Sequence, residues 1–210
     1  MDSVIGIDLS GLSRGTKGRT ALAQLSVTDP PQLLDLHLLR RGERTDVELL
    51  EWVDERRPWV VAIDAPLSLP HGVICSDPAC ARCEPAGATY LARDIDAPAG
   101  GMPTVMIAGI AFRGIYLARQ LRARGYEVIE VYPAAAYRAF GLVSKADRRD
   151  PERVARAIEQ RVPGARPETG DERDAVAAAI VAVAYVHGRA ASVAGEDGTI
   201  WVPGDPSDRP

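Results

Sequence analysis

Aromatic side chains are scarce, at 5% of 210 residues, so Ala, Val, Leu and Ile must fill the core. No stretch approaches the roughly 18 uninterrupted apolar residues of a membrane span. The N-terminus also lacks a basic region followed by an apolar signal core, and a cytoplasmic protein is expected. An excess of basic charge is missing too: 25 Lys and Arg against 29 Asp and Glu leave a net charge of −4. This argues against a generally basic, DNA-coating surface, although charge can be segregated locally. Cysteine is limited to Cys75, Cys80 and Cys83. An odd number crowded into one segment is unlike a secreted disulfide framework and fits a reducing compartment. G-x-x-x-x-G-K-[ST], G-x-G-x-x-G, the nucleophile elbow and H-E-x-x-H are all absent. "GLSRGTKGRT" looks like a phosphate loop only superficially, because it joins two strands.

What is present reads as one α/β domain over residues 1–203, with a polar, Pro-rich tail at 204–210. "VIGID", "ALAQLSV" and "LLDLHLL" are three strands joined by short loops, an antiparallel meander. Thr45 and Glu48 carry a capping-box signature, and helical spacing runs from there to Arg57. "WVVAID" is apolar on both faces, as a central strand should be, and the helical crossover before it implies parallel pairing with the first strand. Residues 71–106 lack sustained periodicity and read as a long insert or lid. A helix through Ile110, Leu117 and Leu121 ends at Gly125, and "YEVIEVYP" follows as the fifth strand. A short helix opens at Pro151. Thr169 and Glu172 start the last helix, whose Ala, Val and Ile body must be buried.

The acids stand out against this background. Asp8 and Asp64 each end an apolar strand, and a carboxylate there is costly to desolvate without compensation. If the two strands are parallel neighbours, the acids lie about 5 Å apart at the carboxyl edge of the sheet, where open α/β sheets place their sites. Two carboxylates that close repel unless a cation bridges them. Asp171 and Asp174 share a face of the last helix and can converge on the same point. Such a set suits Mg²⁺ or Mn²⁺.

The strand and helix order, with these acids at these places, resembles the RNase H-like superfamily and its junction-resolvase branch. "GIDLSG", "AIDAPLSLP", "VIEVYPAAAYRAFG", "DERDAVAAAIVA" and "GTIWVPG" resemble more narrowly a family of predicted RNase H-like nucleases classed as a domain of unknown function, over Ile5 to Pro203. The resemblance implies a mixed sheet of five strands, order 3-2-1-4-5 with strand two antiparallel; the Cys-containing insert after strand four lies outside the shared pattern. It implies metal-dependent hydrolysis of phosphodiester bonds in DNA or RNA, with Asp8, Asp64 and Asp174 as metal ligands and Asp171 assisting. It also marks Glu130, as an additional ligand, and Lys145, as a phosphate contact.

Other readings stand beside this one. Asp8 and Asp64 can be turn residues, Asp171 can serve the helix dipole, and Glu130 can pair with an arginine. Lys145 with Arg148, Arg149, Arg153 and Arg156 can be a solvated helix face. His71, Cys75, Cys80 and Cys83 form H-x₃-C-x₄-C-x₂-C, in which zinc ligation competes with free or redox-active thiols. A non-catalytic binding protein with a zinc-stabilised lid is one alternative. An ATP-dependent phosphotransferase of the actin and sugar-kinase branch is another, and it would need a homodimer to complete its cleft.

Overall fold

A computed structural model describes residues 2–11, 19–39, 42, 45–83 and 90–204. The loop residues 12–18, part of the insert at 84–89 and the tail at 205–210 lie outside the described residues. The sheet contains β1 (Ser3–Asp8), β2 (Ala21–Ser26), β3 (Leu33–Leu38), β4 (Val60–Asp64), β5 (Glu127–Val131), β6 (Ala190–Gly195) and β7 (Gly198–Pro203). Its order is β3-β2-β1-β4-β5-β7-β6. The expected arrangement 3-2-1-4-5 is present. β1 pairs antiparallel with β2 and parallel with β4, and β4 pairs parallel with β5.

The sheet extends two strands beyond the five expected. β7 pairs parallel with β5 through Glu130–Ile200 and Val131–Trp201, and β6 pairs antiparallel with β7. Most residues of β6 are small and half-buried or exposed, so this strand lacks the apolar alternation that marks a strand in sequence.

Helices α1 (Thr45–Arg56), α2 (His71–Ile74), α3 (Ala108–Ala123), α4 (Pro133–Ala139), α5 (Lys145–Arg149), α6 (Pro151–Glu159) and α7 (Gly170–Val186) complete the described elements, with 3₁₀ turns at Ala81–Cys83 and Thr104–Ile107. The Thr45 hydroxyl accepts from the Gly42 amide and donates to its carbonyl at the start of α1. In α7 the expected capping box is formed: Thr169 accepts from the Glu172 amide, and Glu172 returns a bond to the Thr169 amide. Helix α7 is buried continuously from Ala175 to Val183.

Strand parity divides the molecule into two layers. Val4, Val60, Ala62, Ile129 and Val131 pack with α7, α4 and α6 on one face. Ile5, Ile7, Val61, Ile63 and Val128 pack with α1 and α3 on the other. Because side chains alternate along a strand, Gly6 points at α7, and a Cβ there would lie 2.2 Å from the Ala175 carbonyl oxygen and 2.3 Å from the Ala179 nitrogen. The helix therefore seats almost directly on the β1 backbone.

Candidate metal centre at the carboxyl edge

Asp8 and Asp64 are register partners, the last pair of the parallel β1–β4 ladder. By the same alternation that aims Gly6 and Ala62 at α7, both carboxylates face that helix. The first two turns of α7 carry Asp171 and Asp174, and both add their charge to the field at Asp8. Burial first, and then Asp64, Asp174 and Asp171, push the Asp8 carboxyl up to about 10. Burial followed by Asp174 and Glu130 drives Asp64 well above the ordinary carboxylate range. Asp174 rises to about 6, chiefly by burial, although a hydrogen bond from Tyr137 pulls the other way. Among the described residues, no basic side chain forms an ion pair with Asp8 or Asp64.

The four acids are not equally free. The Tyr137 hydroxyl donates to Asp174 Oδ1 at 2.5 Å. The Arg19 amide donates to Asp171 Oδ2 at 2.6 Å, which ties the start of β2 to the N-terminal turn of α7. These acids share one field without being drawn into a single cluster at ligand spacing. Among the described residues, only His71, Cys75, Cys80 and Cys83 place at least three potential metal-ligand atoms within 4.8 Å of one another. The donor chemistry of Asp8 and Asp64 still fits a hard divalent cation: carboxylates with no basic partner among the described residues, partly open to solvent, at the mouth of a parallel pair.

Glu130 does not join them. It pairs in register with Ile63, which faces α1 and α3, so its side chain lies on the sheet face opposite Asp8 and Asp64. There Oε1 and Oε2 accept from Arg93 at 2.6 and 2.8 Å, and Oε2 also accepts from the Leu67 amide at 2.8 Å. The reading of Glu130 as an arginine partner replaces that of an extra metal ligand. Arg93 is 3% exposed and also holds Asp96, whose Oδ2 accepts from the Thr104 amide and hydroxyl. Desolvation alone would lower the Arg93 guanidinium, but Glu130 and Asp96 hold it above its ordinary value.

Sequence reasoning missed three residues that shape this edge. Arg93 fixes the loop after Asp64, both through Glu130 and by donating to Ser68 Oγ. Buried Arg113, from α3, pairs with Asp46 and donates to the Ser10 carbonyl and the Thr20 hydroxyl, bracketing the loop after Asp8. Tyr137 positions Asp174 from α4. Each acts across a long span of chain, and no local spacing signals it. Lys145 is exposed at the first position of α5. Arg148 lies one turn on and, with Arg138, acts electrostatically on Tyr132, which also feels Asp64 and Asp174. Arg153 and Arg156 are committed to Asp147, Asp150 and Glu152.

The described part of the insert is docked through residues 94–99. Ile95 and Ala99 pack with Ile200, Tyr132 and Val202. Asp94 accepts from the Glu196 and Asp197 amides at the β6–β7 turn, and Asp197 accepts from the Asp94 amide in return. Within the insert His71 and the three cysteines do come together. Bonding to His71 lowers the Cys80 thiol to about 6, while desolvation and the neighbouring sulfurs push Cys83 up to about 12.

No family model matches the chain, and no curated protein matches it. Solved structures do, among them RuvC of Thermus thermophilus and the same protein in complex with a Holliday junction substrate. Each is 17% identical, covering 89% of this chain and 96% of the other at a TM-score of 0.52. The fold is RNase H-like. The strand order agrees with that assignment, and the Cys-containing insert follows β4 as expected. Among the described residues no helix is long and apolar enough to cross a membrane.

Proposed function

We propose that this RNase H-like domain is a metal-dependent nuclease whose centre is the Asp8–Asp64 pair. The observation that carries the proposal is their register: two acids end adjacent parallel strands on the α7 face, with Asp174 near and, among the described residues, no basic side chain paired with them. Mg²⁺ or Mn²⁺ would be held by Asp8, Asp64 and Asp174, with Asp171 assisting. Bound there, the cation would supply an activated water and stabilisation of the leaving oxygen in phosphodiester hydrolysis. The chain's own residues prepare the place: Tyr137 orients Asp174, Arg113 ties Ser10 after Asp8 to Thr20 before β2, and Arg93 holds Ser68 after Asp64. Arg138 and Arg148 act on Tyr132, which also feels Asp64 and Asp174, and Lys145 shares a face with Arg148, so a phosphate backbone would have a basic rim to follow despite the net acidity. A nucleic-acid substrate agrees with the junction-bound RuvC neighbour, whose fold this chain shares.

Calorimetry with Mn²⁺ on wild type, Asp8→Asn and Asp64→Asn, followed by cleavage assays on branched DNA, duplex DNA and RNA, tests the proposal. Binding and cleavage in wild type, lost in both variants, is the expected result. Absence of Mn²⁺ binding with and without DNA overturns it. The hydrogen bonds already made by Asp171 and Asp174 favour a second reading, a non-catalytic binding protein. That reading predicts the null result.

A further inference from the structure

The cluster of His71, Cys75, Cys80 and Cys83 lies outside the carboxylate site and has its own local logic. His71 opens α2 and Cys75 caps it, with the Cys75 amide bonded to the His71 carbonyl at 2.9 Å. Residues four apart share a helix face, so this turn presents an imidazole and a thiol together. Cys80 and Cys83 bracket the 3₁₀ turn, and the Cys83 amide bonds to the Cys80 carbonyl at 2.9 Å. Residues three apart eclipse in that geometry, so the second turn presents two thiols together. The two turns face each other. His71 Nε2 lies 3.3 Å from Cys80 Sγ, and all four ligand atoms fall within 4.8 Å of one another. Tetrahedral zinc, with bonds of about 2.3 Å to sulfur and about 2.0 Å to nitrogen, spaces its ligand atoms about 3.5–3.8 Å apart.

Among the described residues, no apolar packing accounts for this arrangement. Neither turn contributes a buried residue, and Val73 and Ile74 are 51% and 64% exposed. Arg82 stands between the two thiols of the second turn and reaches Glu196 at 2.7 Å, Asp197 at 3.0 Å and Asp94 at 3.4 Å.

We propose that His71, Cys75, Cys80 and Cys83 bind one structural Zn²⁺, and that this ion holds Arg82 in place as the clasp between the insert and the β6–β7 hairpin. On binding, the thiol protons leave to solvent and three sulfur–zinc bonds and one nitrogen–zinc bond form. Four protein ligands close the coordination sphere, which makes the site structural rather than catalytic.

The full chain, purified reduced and without chelator, is expected to carry one zinc per molecule. In its zinc-free form it should take up Co²⁺ with thiolate-to-cobalt absorption and the intense visible bands of tetrahedral coordination. Cys80→Ser and Cys83→Ser should each lose both signatures. The Asp8→Asn/Asp64→Asn double variant should keep them, which separates this site from the nuclease reading. Removing zinc from wild type should speed proteolysis within residues 71–107 by about tenfold or more. Three results would overturn the proposal: wild type that holds no zinc and gives no cobalt spectrum, zinc undiminished in both serine variants, or a disulfide among the three cysteines in reduced protein.

Discussion

Tyr137 and Asp174 are joined by a 2.5 Å hydrogen bond that links α4 to α7 beside the strand acids. Burial and the facing charge of Asp174 push the Tyr137 phenol far above its ordinary range, so the proton stays on tyrosine and the carboxylate accepts. Tyr137→Phe leaves that buried acceptor without its partner and is expected to destabilise the fold by about 1–3 kcal/mol in urea unfolding. Because the phenol holds the Asp174 carboxyl down, its removal should also raise the pH at which Mn²⁺ binding sets in. Calorimetry across a pH series reads this directly.

The raised carboxyls fix the sign of a pH dependence. A group whose pKa is higher folded than unfolded contributes stability below its unfolded value and loses it as pH rises through the folded one. Asp8 at about 10 and Asp174 at about 6 therefore make the metal-free protein progressively less stable above about pH 4. Thermal melts in chelator are expected to fall from pH 5 to pH 8, to fall less in Asp8→Asn, and to recover on adding Mn²⁺ to wild type at pH 8. A flat profile in wild type contradicts the electrostatics described here.

Glu130 and Arg93 test the division between the two sheet faces. Arg93→Met leaves a buried carboxylate uncompensated and is expected to cost about 3–5 kcal/mol. Glu130→Gln should also destabilise. Mn²⁺ stoichiometry should be unchanged in Glu130→Gln, since its side chain lies across the sheet from the acids. Loss of Mn²⁺ binding in a folded Glu130→Gln variant would return it to the metal centre.

Gly6 sets the separation between β1 and α7. Adding a side chain at a position where a Cβ meets backbone at 2.2 Å forces the helix outward, and Gly6→Val is expected to cost about 3 kcal/mol. The same displacement carries Asp171 and Asp174 away from Asp8, so Mn²⁺ affinity should fall even where the variant remains folded.

Much of this site was legible in the sequence for a physical reason. A strand apolar on both faces must be central, and an acid at its end must find compensation. Two such strands separated by a helical crossover leave little choice of register, and Asp8 and Asp64 are indeed partners. Glu130 was harder because its face depends on alternation counted from a neighbouring strand, which the residues around it do not reveal. Arg93, Arg113 and Tyr137 reach partners 37 to 103 positions away, and no periodicity encodes a contact at that range. β6 escaped because Ala, Ser and Gly give it almost no apolar signal, whereas Ile200, Trp201 and Val202 mark β7, whose pairing with β5 supplies the order.

That pairing also bears on how the chain is made. β5 is complete once residue 131 has been synthesised, yet the strand that covers its free edge spans residues 198–203. Helix α7, which covers the face bearing Asp8 and Asp64, also arrives late, at residues 170–186. Through most of its synthesis the nascent sheet therefore carries an unprotected edge and an uncovered apolar face, the two features that invite wrong association. The contacts of Arg82 and Asp94 with the hairpin turn can form only once residues 196–197 have been made, so the insert cannot hold the final strand pair before the chain is nearly complete.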